Sequence, residues 1–421
     1  MKIGVVGAGI SGLSISNILS KENEVVLYES SNKVGGLIQC DTINGNLFHK
    51  VGGHVFNSKN KDVLDWFWDF FNKEKDFISS KRNAKILMNS KLINYPIENF
   101  IYQLDEKYLK KIIPELITCS NNKRSPFEYN NFFDYLENSF GRTLCELYFI
   151  PYNQKIWNVN LKEIPMNWLE GKLPMPNISQ IILANILRLD ERNMVHSEFF
   201  YPKKNGSQFI ADKLASKLNV NLNFKIHTIK KVNNKLLING LYSFDKIIYT
   251  GNIKNLLSDY LKENIPNHIK KYAKDLKFNG TTTVLCSVDS NDISWMYLPE
   301  SKVKSHRIIY TGNFSKNNNS PSLKNQNTCT IEFSGFISKD EIANELKRLP
   351  GNTKMIAYNY QPFSYVIQDT HTREQILEIK NYLSNFNIYL LGRFAEWEYY
   401  NMDKAIEAAM NLAKQLKIKN V

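Results

Sequence analysis

The chain has 421 residues, a net charge of +13, 43% hydrophobic residues and 12% aromatic residues. That length exceeds one hydrophobic core, so two or three domains are expected. No run of about 18 apolar residues is present to cross a membrane, the five cysteines (Cys40, Cys119, Cys145, Cys286, Cys329) form no CxxC pair and specify no metal site, and lysines spread without a basic block point to an anionic small molecule rather than a nucleic acid. Scattered, odd-numbered cysteines suit a reduced cytoplasmic protein, and with a strand at its start the chain is expected to carry no signal peptide.

In chain order, "KIGVVG" reads as a buried strand, "ISGLSISNILS" as a helix with Ile15, Ile18 and Leu19 at helical spacing, and "EVVLYE" as a second strand ending on Glu29. Between the first strand and the helix stands "GAGISG", with Gly7, Gly9 and Gly12. Glycines there make a tight turn and bring the backbone, with Ile10 and Ser11 opening the helix, up to a pyrophosphate. An acid at Glu29, beside Ser30, accepts from ribose hydroxyls. A lone GxGxxG is weak evidence, but here strand, helix and acid are in register, which predicts dinucleotide binding. Next comes "SSNKVGGL", with Gly35, Gly36 and Leu37, and then "HKVGGHVFNS", where Gly52 and Gly53 abut His54. Paired glycines cost entropy and pack poorly, so something must approach that backbone closely.

Residues 60–75 read as one amphipathic helix, and "AKILMNSKLINYP" as a hairpin turning at Asn89-Ser90. From about 99 to 195 the pattern is mostly helical, broken by "SNNKRSP" and "LPMPN", the candidate hinges of a lid. A helix and short strands follow from 206 to 250, and strands dominate 280–370, with "FSKNNNSPSLKNQN" expected to be a mobile polar loop. The strand "NIYLLG" leads to a last helix from about Asp403, with Ala405, Ile406, Ala409, Met410, Ala413 and Leu416 as its buried stripe.

The glycine pair after Glu29 is similar to the extended fingerprint of FAD-binding glutathione-reductase and amine-oxidase flavoproteins; that resemblance implies FAD, with Gly52 and Gly53 leaving room for its flavin ring and His54 beside it. Taken with "VGGHVF", "INYPIENF", "PYNQKIW", "WMYLPE" before "HRIIYTGN", and "GRFAEWEYYNMDKAIEAA", the chain resembles the UDP-galactopyranose mutase family, especially its eukaryotic-type sequences. The resemblance covers almost the whole chain. It implies an α/β fold, with a Rossmann-type FAD domain assembled from residues 1–85, 196–265 and 376–421. Residues 86–99 and 266–375 would form an antiparallel sheet domain and residues 100–195 a helical substrate domain. It implies a nucleotide-sugar pyranose–furanose mutase with UDP-galactose as default substrate, and possible homo-oligomers. Reduced FAD would attack the anomeric carbon through N5 and displace the nucleoside diphosphate, with NAD(P)H as reductant.

The resemblance also assigns roles. Arg307 and Lys172 would clamp the diphosphate, with Tyr365 and Tyr399 as hydroxyl donors and Tyr400 also within reach. Gly392, Arg393, Asn401 and Met402 would flank the flavin. Tyr95, Trp157 and Tyr297 would wall the pocket, with Asn99 and Asn153 beside it and Arg82 at its rim. Lys172 stands where the family usually has an arginine, losing the planar fork. Asn401 stands where bacterial-type members have an acid. Glu98 stands where eukaryotic-type members have a glutamine contacting uracil; an acceptor-only carboxylate would suit guanine's two donors, so a GDP-linked sugar is one alternative. An amine-oxidase-like FAD oxidase or desaturase is the other.

Overall fold

The computed structural model describes residues 1–121, 124–125, 128–166, 177–189 and 197–418. Its centre is a five-stranded parallel sheet in the order Ile388–Leu390, Lys246–Tyr249, Lys2–Val6, Glu24–Tyr28, Val220–Asn221. These strands are short, β-branched and nearly continuous in apolar residues because both faces are covered. Ile3, Val5, Leu27, Ile247 and Ile248 are all fully buried. The helix Ile10–Leu19 packs on one face together with the last helix, Met402–Ile418. Ala405, Ile406, Ala409, Ala413 and Leu416 are buried along that last helix, whereas Met410 is only partly covered.

A second, seven-stranded sheet runs Lys354–Ile367, Lys277–Asp289, Gln326–Ser334, Arg307–Ile309, Trp295–Tyr297, Ala84–Met88, Lys91–Asn94. The hairpin turns at Asn89 and Ser90, with φ of 49° and 61°. Two positive φ values are what a type I′ turn requires. Helices Glu106–Asn121, Phe132–Phe140, Ile150–Trp157 and Ile178–Leu187 form the helical part, which shares one apolar core with the hairpin and with Tyr297 and Tyr365. Among the described residues no helix is long and apolar enough to cross a membrane.

Two expectations are corrected. Residues 60–75 are not one helix: Lys61–Trp68 is followed by a separate turn, Lys73–Asp76. The Asn72 side chain accepts from Lys75 N and starts that turn, while Phe71 turns inward onto Phe67 and Phe77. The polar loop after Phe314 is pinned rather than loose. Ser315 and Asn318 are buried; Asn318 Nδ2 donates to Tyr201 Oη at 2.9 Å and to Thr311 O at 2.7 Å, and Ser315 Oγ to Lys203 O at 2.7 Å. Its asparagines and serines satisfy buried backbone instead of solvating a tip.

Candidate active-site cleft

The two sheets meet across a cleft of about 740 Å³. At one end lies the glycine turn. Gly7 has φ 99° and donates to Tyr28 O at 2.8 Å, crossing to the second strand. A Cβ on Gly12 would sit 1.9 Å from Gly7 O, so this position is glycine for the chain's own packing. Gly9 differs. Its φ is −75°, open to any residue, and a Cβ there would meet nothing nearer than Gly36 Cα at 4.0 Å. The space above Gly9 is therefore kept free on the cleft side. Gly35 and Gly36 have φ of 121° and 56° and lie against Gly9. The helix that begins at Ile10 has no side-chain cap, and Ile10 and Ser11 present its free N–H groups at the wall. Glu29 accepts from Ala8 N at 2.8 Å and from Ser31 N at 2.9 Å; Ser30 and Leu37 complete this end. Gly392, with φ 98°, lies behind the wall, where a Cβ would meet Ser11 Oγ at 2.7 Å.

The glycine pair at 52–53 has two separate causes. Gly52 needs its φ of 69°. At Gly53 a Cβ would be 2.7 Å from Ile309 Cγ2 and 3.2 Å from Thr311 Cγ2, so a strand of the second sheet makes the close approach. The opposite side of this turn, with His54, faces the cleft. His54 Nδ1 is buried with no hydrogen-bond partner among the described residues. Burial, helped by the Arg393 charge, lowers the imidazole to about 4. Its proton is bound more weakly in the folded than in the unfolded chain, where the value is about 6.5. Its contribution to stability is thus present above pH 6.5 and lost on acidification towards 4, at up to ~1.4 kcal/mol per pH unit. Denaturant melts between pH 7 and 4.5 should show a shallower loss in His54→Asn than in wild type; equal slopes would mean that the folded imidazole titrates normally.

The other end is a polar row set by strand register. Tyr297 lies opposite Arg307, Arg307 opposite Glu332, and Glu332 opposite Thr283. Directly opposed residues share a face, and Tyr297, Arg307 and Glu332 all line the cleft. Arg307 Nε bonds Glu332 Oε2, and its Nη2 lies 3.4 Å from Tyr365 Oη. Burial alone would raise the Glu332 carboxyl, but Arg307 and, less strongly, His306 outweigh it and hold it well below the usual carboxylate range. Burial pushes the Tyr365 phenol up, so it stays a neutral donor. Tyr365 stacks on Tyr399 with centroids 5.6 Å apart, and the Arg393 guanidinium covers Tyr399 at 4.6 Å. Arg82 lies over Tyr95 and Trp295, 4.9 and 5.1 Å from their centroids, and bonds Tyr297 Oη. Arg393 donates to Ser364 O and Tyr400 O. Neither Arg82 nor Arg393 has a carboxylate in ion-pair range among the described residues. Asn401 and Met402, at the start of the last helix, close this wall.

Other expected residues sit elsewhere. Tyr95 lies behind Tyr297, and Trp157 stands edge-on to Tyr365 and Tyr399 from outside the wall. Asn153 is engaged within its own helix, donating to Phe149 O and accepting from Trp157 Nε1. Glu98 is buried near Tyr135 and Tyr148, away from the cleft wall, and Asn99 shares its short turn. Lys172, the "LPMP" of one candidate hinge, and Asn122, Lys123 and Pro126 of the other lie outside the described residues. Glu332, Thr250 and Trp295 line the cleft without having been singled out. A lone acid in the apolar strand "CTIEFSG" was the available signal for Glu332. Lys155, within "PYNQKIW", acts from a distance. Its ammonium donates to the carbonyls of Leu298, Glu300, Val303 and Ser305 at 2.6–3.2 Å. It thereby ties the loop between Tyr297 and Arg307 to the helical part.

A family model described as an NAD(P)-binding Rossmann-like domain matches residues 5–73. A UDP-galactopyranose mutase from Mycoplasma genitalium is 24% identical, covering 98% of this chain and 94% of the relative. This chain is thus similar over almost its whole length to a protein of that name. A dTDP-fucopyranose mutase from Escherichia coli is 23% identical over 100% of this chain and 99% of its own length. A crystal structure of reduced UDP-galactopyranose mutase superposes with a TM-score of 0.87 at 21% identity, covering 99% and 93% of the two chains. The α/β fold with its Rossmann-type unit is thus shared with that mutase, although a shared fold alone does not specify chemistry.

Proposed function

We propose that this chain interconverts the pyranose and furanose forms of a nucleotide-diphosphate sugar, with UDP-galactose the first substrate to try. The observation that carries this reading is three guanidiniums, Arg82, Arg307 and Arg393, facing one cleft whose other end is an open glycine cradle. The cradle suits the pyrophosphate of FAD: the unfilled space over Gly9 and the uncapped helix start are what a bound dinucleotide phosphate requires. Gly9, Gly35, Gly36, Ser11 and Glu29 would hold the dinucleotide, and His54, Arg393 and Met402 would flank its ring. When reduced, a flavin supplies a nucleophile for the anomeric carbon, and NAD(P)H is the proposed reductant.

The chain's own residues have three tasks. A ring interconversion requires the diphosphate to leave and return without escaping. Arg307 and Arg82 would neutralise the charge that develops on it, in a site where reduced solvation strengthens the attraction. Tyr365, as a neutral phenol, and Tyr399 would donate to its oxygens. The aromatic wall of Tyr297, Trp295 and Tyr399 would exclude water. The names of the two mutase relatives carry uridine and thymidine nucleotides, whose bases each present one N3–H. With Glu98 off the cleft wall, a pyrimidine nucleotide is the better supported choice over GDP. An amine substrate fits poorly, because an ammonium would enter a wall of cations.

The test is to reduce the purified protein's flavin with dithionite, add UDP-galactofuranose and follow UDP-galactopyranose by chromatography. An oxidised control and dTDP- and GDP-linked sugars are run in parallel. Turnover only in the reduced state is expected. A reducible yellow protein that turns over none of these sugars, or that releases hydrogen peroxide with an amine, would overturn the reading.

A further inference from the structure

An anion site that contains its own carboxylate needs an explanation. Glu332 is 1% exposed, yet it lines the cleft beside Arg307, which is 24% exposed. A Cβ on Gly52 would lie 3.6 Å from Glu332 Oε1, so the carboxylate fills the angle between the Gly52–His54 turn and the sheet. Its other oxygen takes Arg307 Nε, and Tyr365 is the next contact of the same guanidinium. A guanidinium has five N–H donors in one plane. Glu332 and Tyr365 together leave part of that fork for a ligand.

We propose that Glu332 is a resident anion that competes with the substrate's diphosphate for Arg307, making it a positioning residue that sets both the direction of the guanidinium and the strength with which a diphosphate is held. The inference rests on the function proposed above and deepens it. Without a carboxylate, Arg307 would be a poorly solvated cation that any small anion could satisfy. With one, only a ligand carrying several charges displaces enough of the pairing, which is selectivity by an internal competitor. The same competition keeps a nucleoside diphosphate from being retained once the sugar has returned to it.

The experiment is calorimetric titration of the flavin-loaded protein with UDP and, separately, with inorganic pyrophosphate, for wild type, Glu332→Gln and Glu332→Asp. Removing the carboxylate's repulsion of an incoming diphosphate, at an effective dielectric of about 20, is expected to tighten binding on the order of tenfold in Glu332→Gln. Glu332→Asp keeps the charge but draws it back by one methylene, and should tighten binding by a smaller factor. In steady state, Glu332→Gln should lower KM and kcat together. Should Glu332→Gln not fold, the aspartate variant decides alone. Unchanged or weaker binding in the folded variants would overturn the proposal, because then holding Arg307 in place outweighs any competition for it. Tighter pyrophosphate binding without mutase turnover in wild type would leave this inference standing and remove the proposed function. Turnover in wild type without tighter binding in the variants would do the reverse.

Discussion

Arg307→Ala should lower affinity for UDP by about 100-fold and destabilise the protein as well. The two losses have different origins. The first is the removal of charge-assisted hydrogen bonds to a diphosphate, each worth roughly 1.5–3 kcal/mol. The second follows from Glu332, which is buried and would lose the guanidinium bonded to its Oε2. Breaking a buried ion pair from one side costs about 3–5 kcal/mol, because the remaining charge is uncompensated. A paired substitution separates them: Arg307→Met with Glu332→Leu should recover most of the melting temperature and none of the UDP affinity. Calorimetry for binding and denaturant melts for stability read the two independently. If Arg307→Ala bound UDP as tightly as wild type, the diphosphate would have to lie elsewhere in the cleft and the proposed role of this wall would fall.

The row that contains Arg307 also shows how much could be read before the fold was known. Local features were legible. The glycine turn, the hairpin at Asn89-Ser90 and the last helix are each dictated by residues within one short stretch, so their spacing alone predicts them. Register was not legible. Nothing in "HRIIYTG" and "CTIEFSG" says that Arg307 stands opposite Glu332, because that depends on how two distant strands align. The same limit applies to "VGGHVF": a close approach to Gly53 was expected, but the neighbour is Ile309, 256 positions later in the chain. Polar composition reads correctly as loop at residues 314–327, but does not reveal that Asn318 and Asn319 bond the carbonyls of Thr311 and Gly312 and so fix its first half. A helix at Lys339–Leu346 interrupts the strands, and its start was marked in the sequence: Ser338 and Glu341 form a capping box. In "GRFAEWEYY" the largest side chain is not on the cleft wall. Trp397 is fully buried at φ 52°, its indole donates to Lys277 O, and Arg373 and Gln368 hold its carbonyl. That corner fixes the backbone from which Arg393, Tyr399 and Tyr400 project.

Two glycines of the same turn give a contrasting pair of expected results. In Gly12→Ala the new Cβ would be forced to 1.9 Å from the Gly7 carbonyl oxygen, a backbone atom, and the Cβ itself is carried on the backbone of the first helix. No side chain can move to relieve it, so a loss of about 3 kcal/mol or more is expected, at the upper end of what overpacking costs. In Gly9→Ala the backbone is already in a region open to alanine, and the Cβ meets only Gly36 Cα at 4.0 Å. The apoprotein should keep its stability within about 0.5 kcal/mol of wild type, or gain slightly from a stiffer unfolded chain. Its FAD affinity should nevertheless fall at least 100-fold, because the methyl group occupies the space into which a pyrophosphate must come to reach the free N–H groups of the first helix. Melts of the flavin-free proteins and titrations with FAD measure the two quantities separately. A Gly9→Ala protein that takes up FAD like wild type would show that the dinucleotide does not rest on this turn. A protein that loses both FAD and stability would show instead that Gly9 serves the chain's own packing, as Gly12 does.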